Sequence, residues 1–173
     1  LSMKTTNDLV IKVSTVNGSG SMSSNQILVK SLFRLGLPVS GKNLFPSNIQ
    51  GLPTSFTIRV NAKGFTARKE KVDLTVAMNQ ATMSEDIKEA SEGSLFIYNS
   101  DLKFDEVLLR KDLTNIAIPF KKLAANTTDS VKLKKLLTNM TYVGALSFIL
   151  GIDMDVIKEV IADEFKNKTS DNY

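Results

Sequence analysis

Apolar and polar residues alternate from Asp8 to Ser14 (DLVIKVS), a run rich in Val and Ile, and that period of two predicts a strand. The strand feeds a Gly-rich loop, Asn17 to Ser21 (NGSGS). From Met22 to Leu35 the period changes: Ile27, Leu28, Leu32 and Leu35 recur at helical spacing, and Gly36 is placed to end the helix. A short second strand fits Leu37 to Lys42, followed by a long loop, NLFPSNIQGLP, in which Pro46, Gly51 and Pro53 disfavour regular structure. Thr54 to Asn61 alternates strictly, and Phe65 to Lys69 follows after Ala62, Lys63 and Gly64, so the pair reads as an antiparallel hairpin. Val72 to Met78 and Ser94 to Tyr98 are strands of the buried type, and Thr82 with Glu85 has the spacing of a capping box that opens a short helix. Thr114 to Phe120 fits a last strand, stopped by Pro119. Two helices close the chain: Lys132 to Leu150, polar early and apolar nearly all round late, and Met154 to Phe165, with Asp153 as its cap after a turn at Gly151.

Strands alternating with helices and glycine loops argue for a three-layer α/β/α domain with a mostly parallel sheet and one antiparallel hairpin. Neither an internal repeat nor an interdomain linker is visible. The domain is expected to run from 8 to 166, with 167–173, where the composition turns polar, as a tail or the start of a linker to absent domains.

Composition narrows the chemistry. The 173 residues include no cysteine, which excludes disulfides, thiolate-bound zinc and any Cys-ligated iron-sulfur cluster carried by this chain. They include no histidine, which removes the usual general base near neutral pH and the commonest metal ligand. The longest apolar stretch, Tyr142 to Ile152, falls well short of the ~20 residues of a membrane helix, so no membrane partner is expected. No leader of secretory type opens the chain, and the cytoplasm is the expected location.

The net charge of +4 is unevenly distributed. Between Leu9 and Lys69 there is no acidic residue, while Lys12, Lys30, Arg34, Lys42, Arg59, Lys63, Arg68 and Lys69 supply eight positive charges. From Glu70 onward acids outnumber bases. This predicts a basic front, either a solvated face or one that meets an anionic partner. No helical basic stripe or aromatic platform is apparent, so nucleic acid ranks last among such partners. Glu85 with Asp86, Asp105 with Glu106, and Asp163 with Glu164 read as surface charges, because neighbours on a helix do not converge on one point.

Two constellations remain. Asn17, Gly18, Ser19, Gly20 and Ser21 form a degenerate G-x-G-x-x-G between a strand and a helix, where backbone amides can approach a phosphate. The same loop is equally a tight turn that binds nothing. The dinucleotide fingerprint needs an acid at the end of the second strand, and here the second strand ends at Lys42, which disfavours NAD. The second constellation is Gly41 to Thr54, in which Lys42 would supply charge and Asn43, Ser47, Asn48 and Gln50 directional donors and acceptors. Loops after strand ends meet where open α/β sheets bind ligands, so the two are expected to lie side by side, facing either a ligand or another subunit.

The runs VNGSGSMSSN, GKNLFPSNIQGLPTSFTIRV, VDLTVAMN, LFIYNSDL and LTNMTYVGALSFILGID, in this order, resemble the gamma-type domain of 2-oxoacid:ferredoxin oxidoreductases. The version fused at the start of the alpha subunit is the most similar, because separate gamma subunits usually carry a G-G-Q-G-type loop where this chain has Asn17-Gly18-Ser19-Gly20. The resemblance implies CoA-dependent oxidative decarboxylation of a 2-oxoacid, with ferredoxin as electron acceptor. It also implies that thiamine diphosphate, Mg and the iron-sulfur clusters are held by catalytic alpha and beta domains or subunits, and that ferredoxin is met only indirectly. This chain would hold no cofactor alone and have no catalytic residue of its own. It would pack beside the active site on the coenzyme A side. An assembly module without ligand contact and an NADP-binding enzyme are the rival readings.

Overall fold

The computed structural model describes residues 8–44, 49–61, 71–125 and 131–170. Six strands, β1 Asp8–Val16, β2 Val39–Leu44, β3 Pro53–Asn61, β4 Leu74–Ala77, β5 Leu95–Asn99 and β6 Thr114–Ile118, form one sheet in the order β2-β3-β1-β4-β5-β6. β1, β4, β5 and β6 run parallel, and β3 is antiparallel to both of its neighbours. The helices are α1 Ser21–Arg34, α2 Met83–Glu89, α3 Phe120–Ala125, α4 Val131–Leu150 and α5 Met154–Ser170.

The strand period sorts the core into two layers. Ile11 and Val13 of β1, Leu74 and Val76 of β4 and Ile97 of β5 point to one face, where Ile27 and Leu28 of α1, Tyr142 and Leu146 of α4 and Ile157 of α5 cover them. The alternate residues Ala77, Phe96 and Tyr98 point to the other face and pack on Met83 and Ile87 of α2. Phe104 closes this smaller layer with its ring edge-on to Tyr98, centroids 5.3 Å apart. The three-layer arrangement with a mostly parallel sheet is therefore as the pattern of elements implies. Among the described residues no helix is long and apolar enough to cross a membrane.

Several local expectations are corrected. Thr54 to Asn61 is antiparallel, but its partners are β2 and β1, Val60 facing Val39 and Ile58 facing Ile11; Phe65 to Lys69 lies outside the described residues. The segment Leu37 to Lys42 is shifted, because Pro38 leaves the strand to begin at Val39 and Gly36 has already turned the chain at φ +76. Phe120 does not end the last strand; it opens α3, whose first amides from Lys121 and Lys122 donate to Asp101 Oδ2 at 2.8 and 3.4 Å. That cap comes from twenty residues away, so no local signal announces the helix. The capping box at Thr82 also fails: its hydroxyl donates to Asp86 Oδ2 at 2.8 Å, while Glu85 is exposed. Asp153 does cap α5, accepting from the Asp155 amide at 2.9 Å, and the helix continues past Phe165 into the expected tail, since polar residues without Gly or Pro do not end a helix.

Charge is distributed differently in space than in sequence. Lys12, Lys30, Arg34 and Arg59 do not form a free basic front; each is paired with an acid. Lys30 pairs with Glu164, and Arg34 with Glu159 and Asp163, which ties α1 to α5. Of the acids read as surface charges, Asp86 and Glu164 are in fact buried. The strand period turns Lys12 and Ser14 away from the large core toward α2, where Asp86 Oδ1 receives the Lys12 ammonium at 3.1 Å and the Ser14 hydroxyl at 2.7 Å. Glu89 adds a second contact to Lys12 at 2.7 Å. Burial alone would lower the Lys12 pKa, but Glu89 and Asp86 together raise it above the ordinary 10.5.

Asp86→Ala leaves Lys12 with Glu89 alone and the buried Ser14 hydroxyl without its acceptor, and is expected to cost about 1–3 kcal/mol. Glu89→Ala, which removes an exposed partner, is expected to cost about 1 kcal/mol or less. Urea unfolding of both variants at neutral pH measures the difference; equal losses would contradict the larger role of the buried partner.

Candidate functional site

The end of β1 and the loop that follows it are held by backbone bonds to the second candidate loop. The Asn17 N–H donates to the Leu52 carbonyl at 2.8 Å, the Gly51 N–H donates to the Asn17 carbonyl at 3.0 Å, and Asn17 Nδ2 donates to the Ile49 carbonyl at 2.9 Å. The two loops therefore meet as a pair. Gly18 at φ +77 and Gly20 at φ +88 occupy the left-handed region, which lets the chain reverse into α1 within four residues. A Cβ on Gly18 would stand 2.6 Å from Gln50 Cγ, so the approach of the loops also depends on that glycine.

α4 supports the loop from beneath. Asn139, buried, donates from Nδ2 to the Ser19 carbonyl at 2.7 Å. Tyr142 donates its hydroxyl to Asn25 Oδ1 at 2.9 Å, and Thr15 donates to Ser21 Oγ at 2.9 Å. Burial pushes the Tyr142 phenol far above its ordinary pKa. None of Thr15, Asn25, Asn139 or Tyr142 was read as a site residue: Tyr142 opens the longest apolar stretch of the sequence, and nothing local links α4 to the loop.

Two clefts flank the loop, of about 260 and about 320 Å³. The first lies between the loop and the β2–β3 edge, where Asn43 Oδ1 accepts from the Thr54 hydroxyl at 3.0 Å and Phe56 also lines the cleft. The second opens at the carboxyl ends of β1, β4 and β5, with Lys121 at its side. Asn17 and Gly18 line both; Gly20, Ser21 and Asn43 line the first, and Ser19 and Gln50 the second. Lys42 lines neither cleft and is exposed on β2, one residue out of phase with Asn43. Ser47 and Asn48 lie outside the described residues. Among the described residues Lys121 is the sole charged residue of either lining, and it was missed because the last strand was read through Phe120 and no helix was expected after it. Its place after the last parallel strand is the signal that could have found it. Among the described residues no group of three acidic side chains is disposed to hold a metal ion.

The sequence matches the family described as pyruvate ferredoxin/flavodoxin oxidoreductase over residues 10–173. It is 26% identical over 123 residues to the alpha subunit of 2-oxoacid:ferredoxin oxidoreductase 2 from Aeropyrum pernix, covering 71% of this chain and 19% of that one. The 2-oxoglutarate:ferredoxin oxidoreductase of Magnetococcus marinus, solved with 2-oxoglutarate, coenzyme A and succinyl-CoA bound, superposes with a TM-score of 0.79 at 27% identity, over 94% of this chain and 28% of that one. The pyruvate oxidoreductase subunit PORC of Thermotoga maritima gives 0.70 at 19% identity, over 91% of this chain and 85% of that one. The gamma subunit of a keto/oxoacid ferredoxin oxidoreductase from Geobacter sulfurreducens gives 0.70 at 15%, over 89% and 83%. At these identities the last two show the shared fold. The chain thus spans about a fifth of the Aeropyrum relative and little more than a quarter of the Magnetococcus chain.

The buried phenol has a consequence at alkaline pH. An unfolded tyrosine releases its proton near 10.0, whereas folded Tyr142 retains it, so the folded state binds more protons there and stability falls as pH rises. Lys12 acts in the same direction: its contribution is complete below 10.5 and is lost as pH climbs through its raised value. The urea midpoint is expected to fall as pH is raised from 9 through about 11. Tyr142→Phe should delay the onset of that fall while costing about 1–3 kcal/mol at neutral pH, because Asn25 loses a buried donor. An unchanged pH profile in the variant would contradict this role for Tyr142.

Proposed function

The chain belongs to the pyruvate ferredoxin/flavodoxin oxidoreductase family, and on that premise we propose that it is the gamma-type accessory domain of a 2-oxoacid:ferredoxin oxidoreductase. In this reading the whole enzyme, working in the cytoplasm, converts a 2-oxoacid and coenzyme A to an acyl-CoA and carbon dioxide, and passes two electrons to ferredoxin. The observation that carries the reading is the likeness to the Magnetococcus enzyme over 94% of the chain.

The donor set decides what this chain can hold. Iron-sulfur clusters need sulfur ligands, and the sequence has no cysteine. Magnesium with thiamine diphosphate needs clustered oxygen ligands, and the described residues offer no such group of carboxylates. These groups fit catalytic partner domains and not this chain. Coenzyme A fits better, since its phosphates and amides suit a cleft of backbone amides, carboxamides and one lysine. The chain's own part is then binding and orientation: the Asn17–Gly20 loop, braced by Asn139, presents a shaped polar edge to the cofactor.

A second reading, assembly without ligand contact, is favoured by Phe148 and Phe33, which stand 87% and 69% exposed. An NADP-binding enzyme has less support, because β2 (VSGKNL) contains no acid to hold a ribose.

Thermal unfolding of the chain with coenzyme A, NADP, NAD and thiamine diphosphate in parallel tests the three. Coenzyme A alone is expected to raise the melting temperature, and Gly18→Ala, which forces the paired loops apart, to diminish that rise. No rise with any ligand, in a chain that still captures its catalytic partners, would replace the coenzyme A reading with the assembly reading.

A further inference from the structure

We propose that the cleft at the carboxyl ends of β1, β4 and β5 binds the phosphoryl oxygens of a small phosphorylated ligand, with Lys121 supplying charge and the Asn99 carboxamide a directed donor. The proposal deepens the reading above, and rests on it for which cofactor delivers the phosphate.

Asn99 ends β5 and is only 2% exposed. Its Oδ1 accepts the Asp101 N–H at 3.1 Å, which fixes the orientation of the amide and leaves Nδ2 as the end that lines the cleft. That Nδ2 donates to no group among the described residues. An amide donor that no protein acceptor engages, on a side chain held at the cleft, is open to an acceptor that the chain itself does not provide.

Lys121 is the second, independent observation. Its backbone amide is engaged by Asp101, but its ammonium has no carboxylate within ion-pair distance among the described residues. Lys12, Lys30, Arg34 and Arg59, by contrast, are all paired. Lys121 is not the sole unpaired cation among the described residues, since Lys42, Lys88 and Lys103 pair with no acid either, but it is the one of these that lines the cleft. Among the described residues no carboxylate lines this cleft to oppose an anion, and Gln50 and Gly18 also line it. A phosphoryl group matches this layout because it offers several acceptor oxygens to donors arriving from β5 and α3. The volume, about 320 Å³, lies at the lower end of small-molecule sites, and the carboxyl ends of parallel strands are where open α/β sheets take ligands.

The test is titration of the 173-residue chain with pyrophosphate, with succinate as a carboxylate control, followed by calorimetry and by amide NMR. Pyrophosphate is expected to shift the Asn99 side-chain and Lys121 resonances and to bind more tightly than succinate. Lys121→Ala, a change at an exposed position, should weaken pyrophosphate about tenfold, the loss of one charge-assisted contact. Lys42→Ala should leave binding unchanged. Absence of binding, or equal binding by the Lys121→Ala chain, would overturn the assignment. Coenzyme A serves as the distinguishing arm. If coenzyme A binds and Lys121→Ala leaves it unaffected, the cofactor reading stands and this site fails; if pyrophosphate needs Lys121 and coenzyme A does not displace it, the site stands and the cofactor reading fails.

Discussion

β1 is hydrogen-bonded along both edges, to antiparallel β3 on one side and parallel β4 on the other, and this double constraint organises the rest. With both ladders satisfied, its register cannot slip without moving every side chain to the opposite face. Ile11 and Val13 are thereby committed to the large core, and Lys12 and Ser14 to the smaller layer, where only a buried acid makes a lysine tolerable. The strand's exit is equally determined: its end at Val16 is where the chain must leave the sheet, and the bonds between Asn17 and the 51–52 segment carry the direction of β3 into the loop.

The separation of charge along the chain is resolved by folding it against itself. The acid-free front supplies α1 and β1, and the acid-rich back supplies α2 and α5, so pairing across the domain joins segments more than seventy residues apart. A basic face inferred from the front half alone overlooks these partners. Among the described residues the one basic side chain that lines the clefts is contributed by the back half, Lys121.

Legibility followed the range of the interaction. Strand periods in β1, β3 and β5 and the helical period of α1 are local, and each element lies within a few residues of its expected place. The meeting of the two glycine-bearing loops was also legible, because strand ends in an open sheet converge. The antiparallel partners of β3, the Asp101 cap on α3, the burial of Asp86 and the support of Asn139 beneath Ser19 were not, since each joins residues eleven or more positions apart. Lys42 illustrates the limit at finer grain: the right strand was recognised, but a one-residue phase decides whether a side chain faces a cleft or solvent.

That same lysine belongs to the outermost strand of the sheet, β2, beyond which no further strand is hydrogen-bonded among the described residues. An open strand edge is a template on which a foreign chain can polymerise, and a protruding ammonium there raises the cost of any such addition. The position therefore bears on colloidal behaviour: it helps keep the sheet finite when the chain is concentrated.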